Sequence, residues 1–268
     1  MPPQISYLQI VSENPDRLAQ FYLTHFGFAE LGRSDDGDVA VSDGFYNLSL
    51  LKRRAGAEET GLQRFGIAIE DIRDIEGRLE EFAPEADLQP DKGDLFHGEY
   101  RMVDPHGTVV SLSTKHFNTG NSGRQFPTIR HFAMCVPNND EVLDFYINVF
   151  GFVESDSSRE NREQGRLPAR WAVDGSTGMA ILPTRAHRAP DPTESMKDGP
   201  NHFGILVHDL AHYERTLPEG SVSKRPDSVR GTGQRRPFAE FRVFDPDRNP
   251  FDLCLDEAGE NARKAWLP

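Results

Sequence analysis

The sequence predicts an α+β protein made from four copies of one β-α-β-β-β unit, set in two tandem halves. Three repeated stretches carry that prediction. ISYLQIVSENPDRLAQFYLTHFGFAE, from Ile5, returns as IRHFAMCVPNNDEVLDFYINVFGFVE from Ile129. QRFGIAIEDI, from Gln63, returns as NHFGILVHDL from Asn201, and DPHGTVVSL, from Asp104, returns as DPDRNPFDL from Asp245. The order is kept while the spacing between partners grows, which is the mark of a duplicated chain whose second copy has longer loops.

The elements follow in order from local pattern. Residues 6–11 alternate and are rich in β-formers, so they read as a strand. Asn14-Pro15 then supplies an N-cap with proline at the first helical position. Leu18, Phe21, Tyr22 and Phe26 follow at helical spacing, and Gly27 stops the helix. Residues 39–42 and 46–51 read as short strands. The second unit opens with a strand at 65–69. Its helix places Ile72, Ile75, Leu79 and Phe82 on one face, and strands at 100–103 and 108–113 close it. The same signals recur after Ile129. Most of the added length lies between Phe152 and His202, where RAHRAPDPTESMKDGP reads as a long polar loop of the kind that serves as a lid or binding loop. These boundaries give an N-terminal domain over 1–114, a linker over 115–127 rich in Asn, Ser, Gly and Thr, and a C-terminal domain over 128–268.

Composition narrows the partners. The chain has 268 residues, which suits two domains of ordinary size. A hydrophobic fraction of 37% is enough to build real cores. With 30 basic and 43 acidic residues the net charge is −13, which argues against nucleic acid, since phosphate binding needs a basic surface. No apolar run approaches the ~18 residues of a membrane span, and the N-terminus does not read as a secretory leader. Cys135 and Cys254 lack the spacing of a disulfide framework or a thiolate zinc site. A cytoplasmic protein acting on a small molecule, without nucleic acid or membrane partners, is the expectation.

Paired β-α-β-β-β units, FY followed by FGF around the first helix, and DPD before the last strand resemble the vicinal oxygen chelate (glyoxalase/bleomycin resistance/extradiol dioxygenase) superfamily. Two tandem halves of this length look most like its type I extradiol ring-cleaving dioxygenases. The resemblance implies that paired units curl into two cup-shaped domains. It implies metal ligands on the first strand of each unit and the last strand of the second. Carried onto this chain, those positions are His131, His202 and Asp252 in the C-terminal half, and Tyr7, Arg64 and Ser111 in the N-terminal half. One half thus keeps a metal-binding set and the other has lost it. Two neutral imidazoles and a carboxylate form the facial triad suited to non-haem Fe(II) with open positions. Fe(II) is the expected cofactor and Mn(II) the other candidate. Strand alternation puts Ala133 and Cys135 on the face of His131, leaving room beside a ligand.

The chain also departs from the family. Asp252 stands where glutamate is usual. His187 precedes His202 at close to the spacing of the family's acid–base histidine, so it is the catalytic candidate. Strand alignment instead puts Thr177 in that place. Arg242 stands where a substrate-binding tyrosine is expected, and Arg235 lies in the glycine-rich approach where a histidine is expected. Guanidinium groups at these places suit an anionic substrate. The implied reaction is extradiol-type cleavage of a catechol-like aromatic ring, with O₂ as co-substrate, in a homo-oligomer. Two alternatives stand beside it. One is a metal-dependent lyase or isomerase acting on an anionic oxygenated substrate. The other is a non-catalytic small-ligand-binding protein.

Overall fold

The computed structural model describes residues 2–56, 59–115, 126–165, 169–184, 197–223 and 241–255. The first unit runs β1 (Gln4–Ser12), α1 (Pro15–Phe26), β2 (Ala29–Arg33), β3 (Val39–Ser42) and β4 (Asn47–Lys52). The second runs β5 (Gly61–Ala68), α2 (Ile72–Phe82), β6 (Gln89–Pro90), β7 (Tyr100–Val103) and β8 (Val109–Ser113). The third runs β9 (Thr128–Val136), α3 (Asn139–Phe150), β10 (Val153–Glu154), α4 (Asp156–Glu163), β11 (Arg170–Val173) and β12 (Gly178–Pro183). The fourth runs β13 (Gly199–Val207), α5 (Leu210–Thr216), β14 (Val222–Ser223), β15 (Phe241–Phe244) and β16 (Pro250–Leu255). The four-unit reading therefore holds, with α4 as an addition to the third unit.

Local chemistry explains the repeated starts and stops. Asn14 caps α1 through its side chain, which accepts from the Arg17 N–H, and Asn138 caps α3 by accepting from the Glu141 N–H. Both helices end on a left-handed glycine, Gly27 at φ 64° and Gly151 at φ 71°. The extra helix α4 is capped by Ser155, whose side chain accepts from the Ser158 N–H. Its sequence, DSSRENRE, carries no apolar periodicity, which is why pattern alone does not announce it.

Each half forms one eight-stranded sheet, in the orders β2-β3-β4-β1-β5-β8-β7-β6 and β10-β11-β12-β9-β13-β16-β15-β14. At the centre of each, the first strands of two units pair antiparallel, β1 with β5 and β9 with β13. Each central strand also pairs in parallel with the last strand of its own unit. The break between sheets falls between Ser113 and Thr128; residues 116–125 of the expected linker lie outside the described residues.

One hydrophobic core runs through both halves. From α1, Phe21 and Phe26 reach Phe251 of β16, at ring separations of 6.3 and 5.6 Å, and Tyr22 reaches Phe203 at 6.3 Å. Conversely, Phe65 of β5 meets Phe132 at 4.7 Å and Tyr146 of α3 at 5.9 Å. Helices α1 and α3 thus pack on their own half's sheet and send aromatic rings across to the other half's. Alternation then sends the other face of each sheet inward to its own cup. Along β9, Phe132 and Met134 join the shared core, whereas Ala133 and Cys135 join a separate small cluster with Ala180 and Leu182.

Candidate metal centre

Three neighbouring strands bring the predicted donors together. His131 on β9, His202 on β13 and Asp252 on β16 are all buried, and one ligand atom of each lies within 4.8 Å of the others. Asp252 Oδ2 is 3.4 Å from His202 Nε2 and 3.9 Å from His131 Nε2. The two imidazole rings stand nearly perpendicular, 88° apart at 5.7 Å between centroids. Pairing register causes this meeting: Gly204 is the partner of both His131 on one side and Asp252 on the other. A register shift between Pro200 and His202 re-aims the start of β13.

Burial makes the imidazoles good ligands. Desolvation lowers the His131 pKa to about 4, against the pull of Asp252, with Arg242 and Arg130 lowering it further. Desolvation and then Arg242 lower the His202 pKa to about 3. Both rings are therefore neutral near pH 7, with lone pairs available. The Nδ1 of His202 lies 2.7 Å from Asn201 Oδ1. An oxygen there accepts, so the proton sits on Nδ1 and Nε2 is left to face Asp252.

The donor set fits a divalent transition ion: two neutral nitrogens and one carboxylate oxygen on one side, with small residues around them. Gly178 and Ala180 of β12 run alongside His131 and Ala133. Trp171 stands edge-on to the His131 ring at 5.9 Å and packs against the Ala133, Cys135, Ala180 and Leu182 cluster, giving the site an apolar wall.

Arg242, on β15, is the register partner of Asp252 and has its Nε 3.2 Å from Asp252 Oδ1. It is thus at the candidate donor set. Thr177 is not brought to it. Gly178 is the residue opposite His131, so Thr177 belongs to the alternate face, in a turn where its N–H donates to Asp174 Oδ1. His187 and Arg235 lie outside the described residues.

Two contributors were not named from the sequence, one without any signal and one with a signal in the repeat. Asn201 orients His202 and follows from no repeat signal, because its twin is Gln63. Gly204 was announced by the repeat, as FGI occurs in both halves. A Cβ on Gly204 would come within 2.0 Å of His131 Cε1, so only glycine lets the ring lie flat across β13.

With this site in view, comparison places the chain in a class. Residues 128–253 match the family model described as the Glyoxalase/Bleomycin resistance protein/Dioxygenase superfamily. That match spans most of the C-terminal half, and the paired architecture of the whole is the vicinal oxygen chelate fold. The 2,3-dioxygenase LapB from Pseudomonas sp. KL28 superposes with a TM-score of 0.63 at 17% identity, over 95% of this chain and 91% of that one. Homoprotocatechuate 2,3-dioxygenase from Arthrobacter globiformis gives 0.62 at 14% identity, over 94% and 79%. The Mn(II)-bound glyoxalase from Novosphingobium aromaticivorans gives 0.61 at 16%, over 94% and 82%. No curated protein sequence matches the chain. At these identities the likeness carries the fold, and the chemistry has to be argued from the site. No helix among the described residues is long and apolar enough to cross a membrane.

Proposed function

We propose that the chain is a metal-dependent enzyme of extradiol-dioxygenase type, cleaving a catechol-like ring with O₂ at its C-terminal site. The observation that carries this reading is the convergence of His131, His202 and Asp252 in one buried cup with an apolar wall beside them. Fe(II) is the proposed ion, with Mn(II) as the other candidate. Such an ion would act as a Lewis acid and as a template for two substrate oxygens.

The chain's own residues do the rest. Asn201 holds the proton on His202 Nδ1 and keeps Nε2 turned to the site. Gly178, Ala133 and Ala180 leave room on the His131 side for a flat ring, and Trp171 with Leu182 keeps that side apolar. Arg242 sets a fixed positive charge against the carboxylate ligand. His187 is the proposed acid–base group, and Arg235 a proposed contact for an anionic substituent. The N-terminal half serves as scaffold, in a homo-oligomer.

A second reading has a specific observation in its favour. Where the resemblance places a histidine and a tyrosine, this chain has Thr177 and Arg242, which changes the means of moving protons. A lyase or isomerase acting on an anionic oxygenated substrate would need the same ion without O₂.

The test is metal content of protein purified without oxygen, beside His202→Ala, followed by O₂ uptake with catechols. Stoichiometric iron that disappears in the variant, with catechol-dependent O₂ consumption, is the expected result. A bound ion without O₂ uptake on any catechol would favour the lyase or isomerase. No ion in the wild type after addition of Fe(II) or Mn(II) would overturn the enzyme reading and leave a ligand-binding cup.

A further inference from the structure

Side chains alternate along a strand, so residues two apart share a face. Ile129 and His131 break that rule. Ile129 lies in the shared core with Phe132 and Met134, while His131 lies across Gly204 with Trp171 beside its ring, on the face of Ala133 and Cys135. The switch falls at Arg130. There β9 advances two residues, from Ile129 to His131, while β13 advances one, from Ile205 to Gly204. Such a bulge re-aims the side chain that follows it. Without it, a strand with Ile129 in the core would send the residue at 131 into the core as well.

The bulge is anchored from two sides. Arg130 donates to the Ser176 carbonyl within its own half. The second anchor comes from the other half. Asp43 lies in the turn between β3 and β4, and its Oδ1 shapes that turn by accepting from the Phe45 and Tyr46 N–H groups at 2.8 and 2.5 Å. Its Oδ2 accepts from the Ile129 N–H at 2.7 Å and from the Thr128 hydroxyl at 2.9 Å. Hydrogen bonds to a carboxylate are stronger than neutral ones, and these two hold the residues just before the bulge.

The arrangement is reciprocal. Asp174, in the turn between β11 and β12, accepts from the Ser176 and Thr177 N–H groups with Oδ1, at 2.7 and 2.6 Å, and from the Ile5 N–H with Oδ2, at 2.7 Å. A matching bulge follows on β1, from Ile5 to Tyr7 against Ile67 to Gly66. Each half thus tethers the start of the other's central strand. The residue aimed by the β1 bulge is a tyrosine; the residue aimed by the β9 bulge belongs to the candidate donor set.

We propose that Asp43 is a positioning residue for that set: by holding Thr128 and Ile129 it fixes the bulge that turns His131 out of the core and across Gly204. The N-terminal half then acts on the C-terminal site directly, through one carboxylate. This rests on the metal-binding reading given above and adds a residue from the other half to it.

The experiment uses full-length protein and Mn(II), with affinity read from the loss of the free-ion electron paramagnetic resonance signal. Amide hydrogen exchange over residues 128–131 reports the tether without any metal. Asp43→Ala should speed that exchange and weaken Mn(II) binding about tenfold, the lower end of the range for losing an outer-shell partner. Ser42→Ala is the control. Ser42 holds the same turn, donating to the Tyr46 carbonyl and accepting from the Gly44 N–H, and its recorded bonds do not reach β9. It should leave Mn(II) affinity as in wild type. Thr128→Val keeps the turn and removes one tether bond; a loss of about threefold is expected, and it carries the test if Asp43→Ala does not fold. Wild-type Mn(II) affinity in Asp43→Ala and Thr128→Val, or an equal loss in Ser42→Ala, would overturn the proposal alone. Wild type that takes up no Mn(II) would overturn the metal-site reading, and this proposal with it.

Discussion

The two cups of this molecule share a frame and differ in what fills it. In the C-terminal cup, His131 lies across Gly204; in the N-terminal cup, Tyr7 lies across Gly66, where a Cβ would fall 1.9 Å from its Cε1. An aromatic ring over a glycine on the neighbouring strand is thus a property of the frame, present with or without the His–His–Asp set. What does not survive is the donor set. Arg64 stands for His202, and lies 3.9 Å from Asp91. Ser111 stands for Asp252, near the Tyr7 hydroxyl, whose pKa burial pushes up. Space is lost as well. Phe96 packs into the N-terminal cup against Val11, Ala40 and Leu51, and the Gln9 amide donates to the Phe96 carbonyl. The register that gives Ala40 to the first cup gives Trp171 to the second, beside the ring of His131. A site on this frame needs both convergent donors and a cup that its own chain does not occupy.

The sharpest way to break the comparison is at the two glycines. Gly204→Ala and Gly66→Ala should each destabilise the fold by about 1–3 kcal/mol, since the ring above has to move. Only Gly204→Ala should also abolish metal uptake, because its ring belongs to the proposed ligand set. Urea unfolding and metal content measured on both variants check this. Equal metal content in the two would mean that His131 does not ligate.

A smaller effect is expected at Asn201. Removing the acceptor with Asn201→Ala frees the His202 tautomer and ring angle, and should weaken metal binding about 10–100-fold while leaving stability nearly unchanged. Gln63→Ala, at the twin position, should leave metal binding as it is. Titration with Mn(II) distinguishes the two.

These residues also mark how far the sequence could be read. The duplication made the four units legible, because FY, FGF, FGI and DP recur with their order intact. The proposed ligands were legible through the resemblance, which points to the first strand of each unit and the last strand of the second; comparing the halves then set His202 against Arg64 and Asp252 against Ser111. What was not legible depends on register and on contacts between distant strands. Thr177 sits one residue from the position that faces His131, and a one-residue step turns a strand side chain to the opposite face. Arg242 read as a residue for substrate, yet its Nε lies 3.2 Å from Asp252 Oδ1, a partner that only β15–β16 pairing reveals. Helix α4 has a cap but no apolar stripe, so nothing in its periodicity sets it apart from a polar loop.

The mildest test concerns the contacts that hold the two cups together. They are reciprocal. Tyr22 of α1 donates to Asp245 Oδ2 in the second half at 3.0 Å, and Tyr146 of α3 donates to Asp104 Oδ2 in the first half at 3.2 Å. Burial raises the pKa of both carboxyl groups, Asp245 to about 6, although their hydrogen-bond donors pull the other way. For Asp245 the folded value lies above the ordinary aspartate value of about 3.9. The folded protein therefore keeps this proton after the unfolded chain has lost it, and the associated stability, full below about pH 4, is lost as the pH rises through about 6. Tyr22→Phe removes a donor that favours the ionised carboxylate. Its cost should be about 1 kcal/mol at pH 5, where the folded carboxyl is largely protonated, and about 2 kcal/mol at pH 8, where the lost partner is charged. Tyr146→Phe should shift in the same direction through Asp104. Urea unfolding of both variants at the two pH values measures the difference. A cost for Tyr22→Phe that is independent of pH would show that Asp245 does not titrate between the two pH values, and that the two clasps hold by shape and hydrogen bonding without a protonation step.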